Sequence, residues 1–236
     1  MKITRAILAP PVLVALLIVA GSSAGCSSHD PSPKSLYAID PGKPTAARDD
    51  AVRAGWPVAA GGTADRVIEI RRVNIAPPFD GQSLTFRARD GTYVKDGYNQ
   101  WVAPPEELLS TQLADWLSAS GPFASVVDPR SSAPHRWALE TCITSLYGDF
   151  QNPRQPRVIL RARLYLLETA GDSGGERIAY QNHYDITLPL EKASPQELVQ
   201  GSGRVYRQFL ESLTHDLSAF REQAGNEGVT RAVPVP

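Results

Sequence analysis

An α+β fold, a mostly antiparallel sheet with two main helices packed on one face, is predicted by two observations in this 236-residue sequence. Residues 157–168 and 177–190 alternate apolar and polar side chains at the two-residue period of a strand. Two other stretches, opening at Pro104-Pro105 and at Ser194-Pro195, carry apolar residues at helical spacing behind clear start signals. Strands with one apolar face and helices able to cover it make a layered α+β domain.

Taken in order, Leu36-Tyr37-Ala38-Ile39 reads as a first strand, followed by a Pro/Gly/Ala-rich stretch over residues 41–64. Residues 66–76, RVIEIRRVNIA, alternate through Ile68 and Ile70 and then through Val73 and Ile75, so the parity changes at Arg71-Arg72 and a bulge is predicted there. SLTFRARDGTYVKD reads as two strands meeting at Asp90-Gly91, a common hairpin pair. The first helix has Pro104 and Pro105 at its start and Glu106 and Glu107 in its first turn, where carboxylates suit the helix dipole. Leu109, Leu113, Trp116 and Leu117 form its apolar stripe, and Gly121-Pro122 ends it. Three longer strands follow, over 137–146, 157–168 and 177–190. Val158, Leu160, Ala162, Leu164 and Leu166 share one face, as do Tyr184, Ile186 and Leu188, and Asp172-Ser173-Gly174-Gly175 joins the last two strands as a loose hairpin. Ser194-Pro195-Gln196-Glu197 is a capping-box sequence, and Tyr206, Phe209, Leu213, Leu217 and Phe220 lie on one side of the helix it opens.

The N-terminus has a different logic. A basic start at Lys2 and Arg5, an apolar run over 6–20 and small residues before GSSAGCSS make an export signal, and the run is too short to span a bilayer as a stable helix. Gly21-Ser22-Ser23-Ala24-Gly25 also fits a nucleophile-elbow pattern, but the strand and helix such a serine requires are missing on either side. Ala24-Gly25-Cys26 resembles the lipobox of bacterial lipoproteins, departing from it at Ser23 where leucine is usual. That resemblance implies a diacylglyceryl thioether on Cys26, and a chain bearing several acyl groups stays on its membrane. The expected organisation is a signal peptide over 1–25, a lipidated tether over 26–35, one folded domain over 36–220 and a polar, loose tail over 221–236.

Composition and motifs exclude several activities. Losing Lys2 and Arg5 with the signal takes the formal net charge from −1 to −3, and no cluster of Lys and Arg stands out, so no nucleic-acid partner is expected. With Cys26 lipidated, Cys142 has no partner for an intramolecular disulfide and is expected as a buried free thiol. His183 and Asp185 share a strand face without a third ligand nearby, and His29, His135 and His215 are scattered, so no metal is expected. There is no H-E-x-x-H, Walker A or G-x-G-x-x-G pattern, so no cofactor and no catalytic residues are assigned. Tyr147-Gly148-Asp149-Phe150, followed by Asn152-Pro153, reads as a specified turn, and Arg71 and Arg72 as solvent-facing at their bulge.

Residues 72–123, RVNIAPPFDGQSLTFRARDGTYVKDGYNQWVAPPEELLSTQLADWLSASGPF, carry an ordered series of motifs. These are Ala76-Pro77-Pro78-Phe79-Asp80-Gly81, then Tyr93, Asp96, Tyr98-Asn99 and Trp101, then Pro104-Pro105 with its leucine-rich helix, and later the Tyr147-Gly148-Asp149-Phe150 segment. The series resembles the ABC-type transport auxiliary lipoprotein family, whose best-known branch is the PqiC-like proteins, and in weaker form the likeness runs from about Leu36 to Phe220. It implies a fold similar to the TolB N-terminal domain and a non-enzymatic role in MCE-type intermembrane lipid transport. The protein would sit on the periplasmic side of the outer membrane, a location also favoured by Ser27, which stands where Asp signals inner-membrane retention. The partners so implied are an MCE-domain protein of an ABC-type transporter, the membrane through the N-terminal lipid, and phospholipid; homo-oligomerisation is left open. Phe79, Tyr98 and Trp101 are the candidate partner or lipid contacts, the alternative being that they fold back onto the sheet. A stand-alone periplasmic enzyme and a structural envelope lipoprotein remain the alternative functions.

Overall fold

The structure, a computed structural model, describes residues 33–45, 62–170 and 175–231. The expected signal peptide and lipidation site at Cys26, the expected hairpin connection at Asp172-Ser173-Gly174 and residues 232–236 lie outside the described residues. In chain order the elements are β1 (Ser35–Tyr37), a single 3-10 segment (Gly62–Arg66), β2 (Val67–Ile70), β3 (Asn74–Ile75), β4 (Ser83–Arg87), β5 (Tyr93–Trp101), α1 (Pro105–Ser120), β6 (Ser125–Val127), β7 (Trp137–Asp149), β8 (Arg157–Ala170), β9 (Gly175–Pro189) and α2 (Pro195–Arg231).

The strands form one mixed sheet organised on β7. Along one edge of β7 lie β2, β3 and β4 end to end, all parallel to it: Ile70 opposite Leu139, Asn74 opposite Cys142 and Phe86 opposite Gly148. Along its other edge β8 and then β9 run antiparallel in long ladders. β5 pairs antiparallel with β4, while β1 and β6 add parallel ends on β5 and β2. Antiparallel pairing therefore dominates through the long strands, and the parallel ladders are the short ones. From Ile70 to Asn74 the chain advances one residue more than β7 does between Leu139 and Cys142, which is the bulge at Arg71-Arg72. The extra residue resets the parity, so Ile68, Ile70 and Val73 are all buried.

Both helices cover one face of the sheet. Leu109, Leu113, Trp116 and Leu117 of α1 and Val205, Tyr206, Phe209, Leu210, Leu213 and Leu217 of α2 pack with Leu139, Ile143, Leu160 and Leu164 in a continuous core. Two hydrogen bonds fasten the helices together, Tyr206 Oη to the Leu109 carbonyl (2.7 Å) and Trp116 Nε1 to Thr214 Oγ1 (3.2 Å). The capping box of α2 is half formed: the Glu197 N–H donates to Ser194 Oγ, but the Glu197 carboxylate accepts from the Glu191 N–H rather than from Ser194.

Three local expectations are corrected. The helix does not give way to a loose tail at residue 221, because α2 continues to Arg231. Its polar last turns read as tail by composition, yet Arg221 is mostly buried, with its guanidinium over Phe123 and Trp137 and a hydrogen bond to the Asp65 carbonyl (3.0 Å). Burial pulls the Arg221 pKa down, against the opposing pull of Asp65. The Tyr147-Gly148-Asp149 segment is not a turn but the end of β7, and the chain reverses at Asn152–Gln155, where the Gln155 N–H reaches the Asn152 carbonyl. Cys142 is free but only half-buried, because it takes the parity opposite Leu139 and Ile143 and faces away from the helices.

Close approach explains Gly201 and Gly203 inside α2. A Cβ on Gly203 would run into the backbone oxygen of Asp40, and one on Gly201 into Leu190 and Val158. The segment before α1 is thereby held on the helices, with Ile39 in the core and its carbonyl accepting from Gln112 Nε2 (3.1 Å). Alanine is intrinsically about 1 kcal/mol better than glycine in a helix, yet overpacking against a fixed backbone costs about 1–3 kcal/mol. Gly203→Ala is therefore expected to lower stability in urea unfolding; an unchanged or raised midpoint would show that the Asp40 segment yields freely.

Candidate functional site

The sheet face away from the helices carries the second aromatic cluster. Residues 76–82 leave the edge of β7 between β3 and β4 and fold back over the sheet, with the Phe79 N–H on the Ala76 carbonyl (3.0 Å). Phe79 stacks on Tyr147 (ring centroids 5.4 Å, planes 12° apart) and meets Tyr93 edge-on (5.6 Å), and Tyr93 in turn meets Tyr147 edge-on (5.1 Å). Ile159 of β8 completes the cluster. Such offset and edge-on contacts match the charge distribution of aromatic rings. Tyr93 is left exposed at the rim.

Guanidinium groups border this cluster. Arg87 lies over the Tyr147 ring (5.8 Å) and donates to Asp149 Oδ2 (3.0 Å), and Arg157 donates to the same oxygen (2.7 Å). Burial alone would raise the Asp149 pKa, but these hydrogen bonds outweigh it and hold the carboxyl below the usual carboxylate range. Hydrogen bonding to Asp149 raises the Arg87 pKa. Further along β8, Arg161 donates to Asp185 (2.8 Å), which raises its pKa too. Tyr147 is pushed up, first by burial and then by Tyr93. A buried carboxylate held ionised by two cations is a weak proton acceptor.

On the helix side, an open apolar cleft of about 200 Å³ lies among Leu84, Phe86, Phe150, Pro195 and Leu198, with Asp96 at its rim. Asp96 shapes the chain there: its Oδ1 accepts the N–H groups of Tyr98 (2.9 Å) and Asn99 (3.0 Å), and Oδ2 accepts Asn99 Nδ2 (2.8 Å). This turn corresponds to a register break between β4 and β5, and Tyr98 projects from it with 61% of its surface exposed.

The three predicted contacts therefore do not form one surface. Trp101 is 5% exposed and belongs to the main core, Phe79 is buried in the second cluster, and Tyr98 stands in solvent. Arg71 and Arg72 are less free than expected at their bulge: Arg71 pairs with Glu69, Glu140 and Glu176, and Arg72 with Glu106 and Glu107 of α1. Asp185 is engaged by Arg161, and among the described residues no group of three or more His, Cys, Asp or Glu is placed to hold a metal ion. The sequence reasoning missed Arg87, Asp149, Arg157 and Arg161. The alternation of β8 contained a signal for two of them, since Arg157 and Arg161 take the parity opposite Val158 and Leu160.

A model of the ABC-type transport auxiliary lipoprotein component family matches residues 53–214. The chain belongs to that family. The match spans β2 to β9, α1, the Phe79 cluster and the first half of α2. Protein XCC0632 from Xanthomonas campestris has a similar fold at 13% identity, with a TM-score of 0.59 over 71% of this chain and 92% of that one. A second solved structure, of an uncharacterized protein, is similar at 18% identity and a TM-score of 0.55, over 65% of this chain and 92% of the other. No curated protein matches the chain. Family membership makes this an auxiliary lipoprotein component of ABC-type transport, a membrane-anchored class, although no helix among the described residues is long and apolar enough to cross a membrane.

The ion pairs of Asp149 give a pH-dependent test. Its folded pKa is depressed, so its contribution to stability is fully present above the unfolded value of about 3.9 and is lost as pH falls through the folded value. Asp149→Asn is expected to cost about 1–3 kcal/mol at neutral pH, measured by urea unfolding. The gap to the parent should narrow in acid; a gap constant down to about pH 2 would contradict the assigned ionisation.

Proposed function

We propose that this chain is an outer-membrane-anchored lipoprotein on the periplasmic side, acting as a non-enzymatic auxiliary component of an MCE/ABC-type intermembrane lipid transport system. The observation that carries this reading is the family match over residues 53–214, joined to the Ala24-Gly25-Cys26 pattern that supplies an anchor. Ser27 supports the outer membrane, and the absence of a Walker A motif from the sequence leaves nucleotide hydrolysis to another subunit. The helix-free face supports a docking role: its aromatic cluster combines apolar area with polar edges, and its carboxylate is tied up in ion pairs. On this reading the partner is an MCE-domain protein, contacted through the Tyr93 rim of the Phe79 cluster, and the cargo a phospholipid, with Tyr98 as a lipid contact. Trp101 supports that surface from inside the core.

Two experiments test the proposal. Cys26→Ala is expected to leave a soluble or unprocessed chain on fractionation; outer-membrane recovery at parental level, with no lipid on the native N-terminal peptide, would end the anchoring argument. Copurification from detergent-solubilised membranes, read by mass spectrometry of proteins and lipids, is expected to recover an MCE-domain protein with the parent. Tyr98→Ala should lower the phospholipid recovered without changing the melting temperature, whereas Trp101→Ala should cost about 3–5 kcal/mol of stability. Full recovery with stable Tyr98→Ala would remove this residue from the contact surface.

A further inference from the structure

Three of the large hydrophobic side chains exposed among the described residues gather at one edge of the sheet. Leu36 of β1 is 58% exposed and lies opposite Gln100 of β5. Tyr98 and Val102, 61% and 51% exposed, stand two residues to either side of Gln100. Leu36, Tyr98 and Val102 thus lie close together along the β1/β5 edge, while Tyr37 and Trp101 turn toward the core. The Val102 N–H on the Tyr37 carbonyl (2.8 Å) and the Asp96 turn beneath Tyr98 hold the outer two in place. Single exposed apolar residues are ordinary, but a group at one edge marks a surface that meets something apolar.

What it meets is indicated by the chain leading to it. Only the eight residues 27–34 separate Cys26 from β1, and fully extended they reach at most about 30 Å. A lipid on Cys26 therefore keeps this edge close to the bilayer at high effective concentration. Lys34 directly precedes the patch and Lys95 is exposed on the same strand as Tyr98, while the nearby Asp96 carboxylate is turned back onto N–H groups. Apolar side chains, a tyrosine and lysines are the composition that settles at a lipid headgroup boundary.

We infer that the Leu36/Tyr98/Val102 edge rests on the surface of the membrane that holds the protein's own anchor, orienting the domain with this edge down. The inference depends on lipidation of Cys26. It adds that the domain is docked against phospholipid and does not swing free on its tether.

The test uses the full lipidated chain in vesicles of phosphatidylethanolamine and phosphatidylglycerol, with a photo-crosslinking amino acid replacing Leu36, Tyr98 or Val102. Ile178, equally exposed on the distant strand β9, is the control. Phospholipid adducts are expected several-fold above the control at all three positions. Adding Leu36→Asp and Val102→Asp should remove the adduct at Tyr98 while the melting temperature holds. A lipidated N-terminal peptide on vesicle-bound protein without excess lipid adducts, or with adducts to protein instead, overturns the docked orientation alone. An unmodified N-terminal peptide on protein that stays off the vesicles overturns the anchoring reading and this inference together.

Discussion

Every part of this fold is fitted to β7. A strand paired along both edges has each of its backbone groups committed, so whatever lies beside it must keep its register or leave polar groups unsatisfied. On one edge the commitment is met by a single strand, β8. On the other it is met by three short pieces, β2, β3 and β4, which are successive stretches of the same run of chain. Each irregularity in that run has a structural product. The one-residue surplus at Arg71-Arg72 keeps Ile68, Ile70 and Val73 buried, and it sends Arg71 to a group of three glutamates. The longer surplus over residues 76–82 lays Phe79 over Tyr147 on the face that the helices leave bare. The same strand that contributes Leu139 and Ile143 to the helix-covered core therefore builds the aromatic cluster on its reverse side.

Much of this was legible in the sequence. The periods of β8 and β9, the start signals of both helices and the parity change in residues 66–76 arise from local rules, because side-chain alternation and capping depend on neighbours a few residues away. What resisted reading depends on distant neighbours. Asp149 looked like a turn residue because Gly and Asp favour turns; only the arrival of Arg87 from β4 and Arg157 from β8 makes a buried strand carboxylate tolerable. Arg221 was assigned to a tail for the same reason, since nothing nearby in sequence announces that Phe123 and Trp137 receive its guanidinium. The candidate contacts were less legible still. Phe79, Tyr98 and Trp101 lie within a short stretch, but the excursion over residues 76–82 takes Phe79 to a buried cluster, and the register break between β4 and β5 separates Tyr98, in solvent, from Trp101, in the core.

That division has a functional logic. A sheet with helices on one face leaves the other free, and here its ionisable groups are largely matched in cross-strand pairs, Arg87 and Arg157 with Asp149 and Arg161 with Asp185. The exposed Arg161–Asp185 pair adds little to stability, while the pairs of the buried Asp149 fix side-chain positions around the Tyr93 rim. A protein whose role is to join other components requires positioned surfaces of this kind. An anchor on Cys26 would lie only eight residues from β1, at the edge of the sheet. An edge held at the lipid boundary would turn the remaining sheet face toward the periplasm, where an MCE partner could reach the Phe79 cluster without displacing the anchor. The bulges along β7 and the apolar β1/β5 edge would then serve one end, a domain that meets membrane and partner on separate surfaces.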